Sequence, residues 1–170
     1  LGMFSSVMPL AQIDAMNRVD AVSVEAWIRP TARGQWTRIF EKGGYRRSGG
    51  YTFQLDETGE RLSFVSWDTN SVNAFSVVGA TSIPLNAWTH VVGTYEKQGS
   101  VHTIKVYVNG RLDGVQQKTT NAEVLAPSMN DGFAVIGAAS DTNSSFTGLI
   151  DELKVYNRTL SENEVAERSE

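Results

Sequence analysis

The chain has 170 residues and a mass of 18.6 kDa, the size of one domain that buries roughly 70% of its unfolded surface without a covalent staple. It has no cysteine and only 2 histidines, which excludes disulfides, thiolate zinc sites and a cysteine nucleophile. A net charge of −4 and a pI near 5.2 argue against general nucleic-acid binding, and no apolar run approaches the ~20 residues of a membrane-spanning helix. The first residue is Leu1 and not Met, which points to a processed end or a cut from a longer protein. Met3 to Ala11 lacks the basic leader and long apolar core of a signal peptide.

The dominant pattern is period-two alternation. Val22, Val24, Ala26 and Ile28 share one face of a strand. Tyr51 to Leu55 and Arg61 to Trp67 read as two strands joined by a turn at Asp56 to Gly59. Trp88 to Tyr95 and Thr103 to Val108 follow, rich in Val, Thr and aromatic residues. Asn109-Gly110 comes directly after and marks a tight hairpin, because both turn residues must tolerate positive φ. Phe133 to Gly137 and Leu149 to Tyr156 complete the strands. One helix is expected, from Glu162 to Arg168, opened by the capping box Ser161 to Glu164. Short strands between Gly and Asn turns predict an all-β fold, a two-sheet antiparallel β-sandwich, as one domain over residues 1–170.

Three segments carry a resemblance. They are Val22 to Ile28; Trp88-Thr89-His90-Val91 through Val106-Tyr107-Val108-Asn109-Gly110; and Gly148 to Glu152 through Val155-Tyr156-Asn157-Arg158 to Leu160-Ser161. Together with Ile39-Phe40-Glu41-Lys42-Gly43, in this order and spacing, they resemble the laminin-G-like, concanavalin A-type jelly-roll family in its bacterial form. The resemblance implies two curved antiparallel sheets, an extracellular or cell-surface setting, and ligands met on the concave face or rim. It also implies a structural calcium ion joining the N-terminal segment to the last strand, for which Asp20 and Asp151 are the candidate ligands and Asp14 a weaker third. The other reading of these residues is a turn cap at Asp20 and a charge pair at Asp151.

Catalysis finds little support. A glucanase of similar fold carries Glu-x-Asp-x-x-Glu on one strand, so that the acids line one cleft. Here Leu149 and Lys154 stand where the two glutamates would be, and the adjacent Asp151 and Glu152 point to opposite faces. His90, between Trp88 and Val91, reads as structural; His102, near the Gln98-Gly99-Ser100 loop, reads as exposed. Asp141 to Glu152 echoes an EF-hand loop, but Phe146 holds the position of its glycine. Asn143 and Asn157 begin glycosylation sequons that matter only in a secreted eukaryotic protein.

A sugar site needs an aromatic platform with convergent polar groups. Tyr45, Arg46 and Arg47, in a glycine-flanked loop, and Trp67, Asp68 and Asn70, at a strand end, make one such set, with Asp141 and Asn143 as further members. The two arginines suit an anionic polysaccharide, since guanidinium matches carboxylate or sulfate in a fork; their alternative is a solvated basic loop. Trp27 and Trp88, on cleanly alternating strands, read as core. The expectation is a non-catalytic, lectin-like module of a larger extracellular protein, such as a polysaccharide-degrading enzyme. Its partner is a glycan, together with other domains of the parent, and neither nucleic acid nor membrane. The alternatives are an adhesion or structural module that binds protein and, third, an enzyme of unrecognised mechanism.

Overall fold

The computed structural model describes residues 20–43, 49–68, 74–125, 134–138 and 144–170. Among these are ten strands: β1 (Ala21–Pro30), β2 (Arg38–Gly43), β3 (Gly50–Leu55), β4 (Arg61–Trp67), β5 (Ala74–Ser82), β6 (Thr89–Gln98), β7 (Val101–Val108), β8 (Arg111–Thr119), β9 (Ala134–Ile136) and β10 (Gly148–Tyr156). One helix, α1 (Glu162–Arg168), follows. The strands form two antiparallel five-stranded sheets: sheet A in the order β10-β1-β6-β7-β8, and sheet B in the order β5-β4-β3-β2-β9. This is a jelly-roll β-sandwich.

Alternation sets what each sheet buries. Val22, Val24, Ala26 and Ile28 of β1 meet Tyr51, Phe53 and Leu55 of β3 and Leu62 and Phe64 of β4 in the main core. The odd positions of β1 turn to the outer face of sheet A. There Val92, Tyr107, Leu160 and Val165 form a second apolar cluster, with Tyr156 against it, beneath α1. The helix begins where its capping box predicts: Ser161 Oγ accepts the Glu164 N–H, and the Glu164 carboxylate accepts the Ser161 N–H. Asn109 and Gly110 both adopt positive φ, 48° and 76°, and link Val108 to Arg111 by the two-residue turn expected of them.

Three strands carried no legible pattern. In β2 a bulge against β3 puts the adjacent Ile39 and Phe40 both in the core, which breaks the alternation, and the charged Arg38, Glu41 and Lys42 are buried as well. The edge strand β8 is polar and mostly exposed, and a bulge in its pairing with β7 breaks its period. In β5 the alternation of Phe75 and Val77 with Ser76 and Val78 stops at a bulge against β4. Two environments also differ from expectation. His102 is buried, not exposed: Nε2 donates to the Thr120 carbonyl (3.1 Å) and Nδ1 accepts the Tyr95 hydroxyl (2.8 Å). Trp88 is 43% exposed, not core, because it precedes the first paired residue of β6; Trp27 is half-buried on the outer face of sheet A.

Candidate functional site

The residues that the sequence offers as a candidate glycan site divide between described and undescribed parts of the chain. Trp67 and Asp68 are described. Tyr45, Arg46, Arg47, Asn70, Asp141 and Asn143 lie outside the described residues.

Trp67 closes β4, paired with Gly50 of β3 on one side and Ala74 of β5 on the other. Gly50 in turn faces Gly43 of β2. The connections that hold 44–48 and 69–73 therefore leave sheet B at the same end, with Trp67 between their roots. A backbone constraint fixes this corner. Gly50 has φ +103°, and a Cβ there would lie 1.8 Å from the Lys42 carbonyl oxygen, so only glycine fits. The Trp67 indole is held by a bond from Nε1 to Thr52 Oγ1 (3.1 Å). Trp67 and the adjoining Asp68 are both half-buried. The corner thus holds an oriented indole with a carboxylate residue next to it in sequence; the face of an indole can stack on a sugar ring, and a carboxylate can accept from its hydroxyls.

Thr52 marks the face of sheet B that points away from the core, which also carries Gln54 and Ser63. Thr52, Gln54 and Ser63 are all buried there, with Val65 opposite Thr52. Along this face Arg38 donates from Nε to Glu41 Oε2 (3.0 Å), and from Nη1 to the Trp36 carbonyl (2.6 Å) and to Gln54 Oε1. Nothing in the sequence pattern links these residues; the register of β2 with β3 does. The described flanks of 139–143 attach at this Arg38 end, through Gly137 N–H to the Ile39 carbonyl and Arg38 N–H to the Ser144 carbonyl. That is four to five residues of β2, about 15 Å, from the Gly43 end that adjoins Trp67.

Asp20 and Asp151 are not brought together. Asp20 precedes β1, with its carbonyl accepting the Lys97 N–H. Asp151 pairs with Trp27, seven residues further along β1, about 23 Å away. Antiparallel pairing of β10 with β1 puts the start of the last strand beside the end of the first, so these two carboxylates do not fit a shared calcium ion. Asp151 Oδ1 instead accepts the N–H of Glu152, which sits at a bulge with φ +50°. Among the described residues no group of three or more His, Asp and Glu side chains is placed to hold a metal.

His90 is structural, as its setting in the sequence indicates. It is fully buried, and Nε2 donates to Glu25 Oε1 (3.1 Å), while Glu25 Oε2 accepts the Tyr156 hydroxyl (2.6 Å). Burial lowers the affinity of the imidazole for a proton, and the Glu25 carboxylate beside it only partly offsets this. Arg168, from α1, donates to the Tyr156 hydroxyl (2.8 Å) and lies 3.6 Å from Glu25, so the network ties the helix to sheet A.

Known structures share this architecture. A sialidase CBM40 module from Ruminococcus gnavus superposes with a TM-score of 0.72 at 13% identity, covering 92% of this chain and 86% of that one; the same module is known with α2,3-sialyllactose bound. A heptameric SAP-like pentraxin from Limulus polyphemus gives 0.61 at 18% identity over 89% of this chain and 70% of that one. Domains LG4-5 of the mouse laminin α1 chain give 0.61 at 18% identity over 85% of this chain, which spans 37% of theirs. No curated protein matches the chain. A model of the concanavalin A-like lectin/glucanases superfamily matches residues 6–166, nearly the whole length, and the chain belongs to that family.

Proposed function

We propose that this chain is a non-catalytic carbohydrate-binding module of a larger extracellular protein, and that it binds glycan at the Trp67 end of sheet B. The observation that carries this reading is the half-buried Trp67 indole, oriented by Thr52 and set beside Asp68 between the roots of two connections. Tyr45, Arg46, Arg47 and Asn70 belong to those connections and would supply further contacts. The resemblance to a module known with sialyllactose bound supports a glycan as ligand and an enzyme as parent. The non-catalytic reading is supported by the substitutions at Leu149 and Lys154 and by the bulge at Glu152 in what would be the acid-bearing strand.

The test is calorimetric titration of a polysaccharide panel, neutral and anionic, at two salt concentrations. Trp67→Ala is expected to cost about 2 kcal/mol of binding, the loss of one aromatic anchor. For an anionic glycan, Arg46→Ala with Arg47→Ala weakens binding mainly at low salt, because exposed charges are screened within about 8–10 Å. Affinity untouched by Trp67→Ala in a folded variant places the site elsewhere, and binding to no glycan favours the protein-adhesion reading.

A further inference from the structure

The outer face of sheet A carries a second aromatic surface, on the opposite sheet from Trp67. Over most of this face α1 and the segment before it cover the strands at Val92, Tyr107 and Tyr156. The cover ends near the row where Trp27 of β1 pairs with His90 of β6 and with Asp151 of β10. Beyond it lie Arg29, paired with Leu149, and Trp88, which stands just before β6 and next to Thr89, the partner of Ile28. Trp88 is 43% exposed and Leu149 51%. The Trp27 ring packs on His90 with centroids 5.3 Å apart, which leaves it rigid at the floor of the patch. Arg29 is oriented by a bond from Nε to the Asn86 carbonyl (3.0 Å), and among the described residues its terminal nitrogens have no further partner. Asp151 is exposed, and its Oδ1 accepts the Glu152 N–H.

We propose that Trp88, Trp27, Arg29 and Asp151 form a second carbohydrate-binding surface, one that takes a neutral pyranose oligosaccharide. The Trp88 indole offers a face to the axial C–H groups of the ring, the Arg29 fork donates to hydroxyls and Asp151 accepts from them. An exposed carboxylate in the same row disfavours an anionic ligand. Two exposed apolar side chains flanked by opposite charges are also a small patch beside the roughly 1,200–2,000 Å² of a stable protein interface. The proposal goes beyond the Trp67 site: it makes the module bivalent, with ligands on opposite sheets.

The experiment follows the indole N–H resonances of the four tryptophans in ¹⁵N-labelled protein, assigned by single substitutions, during titration with cellohexaose, xylohexaose and mannohexaose at millimolar concentration. The expected result is a saturating shift of the Trp88 resonance with at least one of these probes, retained in Trp67→Ala. Trp88→Ala should lower that affinity about tenfold or more, as for a hot-spot aromatic. Trp88→Phe should restore part of it, and Asp151→Asn or Arg29→Ala should weaken it with the fold intact. No shift at Trp88 with any of the three hexasaccharides overturns the proposal, whatever happens at Trp67. So does a Trp88 shift that follows protein concentration without sugar, which would assign the patch to a second copy of the chain. Loss of binding in Trp67→Ala with Trp88 shifts unchanged would touch only the first site.

Discussion

Asp56→Asn tests the corner that closes the β3–β4 hairpin at the end of sheet B opposite Trp67. The Asp56 carboxylate is almost fully buried, and Oδ1 accepts from Thr58 N–H (3.1 Å), Thr58 Oγ1 (2.6 Å), Glu60 N–H (3.1 Å) and Arg61 N–H (3.3 Å), while Oδ2 takes Arg61 Nε (2.9 Å). Burial by itself would raise the carboxyl pKa, but the bonds from Thr58, Glu60 and Arg61 outweigh it and bring it from 3.8 to about 2. A folded-state value below the unfolded one means stability that is fully present above pH 3.8 and lost as the pH falls towards 2. The size of the shift corresponds to about 2 kcal/mol at neutral pH. The asparagine variant keeps an acceptor for the turn but faces Arg61 with an amide. It should therefore be less stable than wild type by about 2 kcal/mol at neutral pH, a loss of about 4–8 °C in Tm. Because asparagine does not titrate, the gap should close as the pH is lowered from 3.8 to 2. Urea unfolding of both proteins across this range measures it. A gap at neutral pH below about 0.5 kcal/mol, the noise of ordinary surface changes, or one that persists at the acid end, would refute the assignment of this stability to the Asp56 charge.

Gly50→Ala should destabilise by about 1–3 kcal/mol or more, since it forces a side chain into φ +103° and against the Lys42 carbonyl; thermal melting reads the loss, and a variant as stable as wild type would show the corner to be yielding. Glu25→Gln removes the charge that joins His90, Tyr156 and Arg168, and should cost about 1–3 kcal/mol. Hydrogen exchange of the α1 amides should accelerate in that variant more than exchange in β3 and β4, and equal acceleration would show that the network does not anchor the helix. The same change should move the Tyr156 phenol, pushed up to about 12 by burial and by its bond to Glu25, back towards its ordinary range in a spectrophotometric titration.

Local chemistry in the sequence determined β1, because the alternation of Val22, Val24, Ala26 and Ile28 with Ser23 and Glu25 is the imprint of one face in the apolar core. It also determined the Asn109-Gly110 turn and the capping box at Ser161, since both depend on residues within a few positions of each other. Trp67 and Asp68 were legible as a strand-end pair for the same reason. The tertiary structure alone decided what depends on distant neighbours. It put a bulge in β2 that turns both Ile39 and Phe40 into the core, and so hid that strand. It put Thr52 at the Nε1 edge of the Trp67 ring through the β3–β4 register, and buried His102 between Tyr95 and Thr120. Antiparallel pairing of β1 with β10 separated Asp20 from Asp151, and the same pairing set Asp151 beside Trp27 and Leu149 beside Arg29. Strand register joins residues more than a hundred positions apart, and no local pattern in either segment records which partner it will meet.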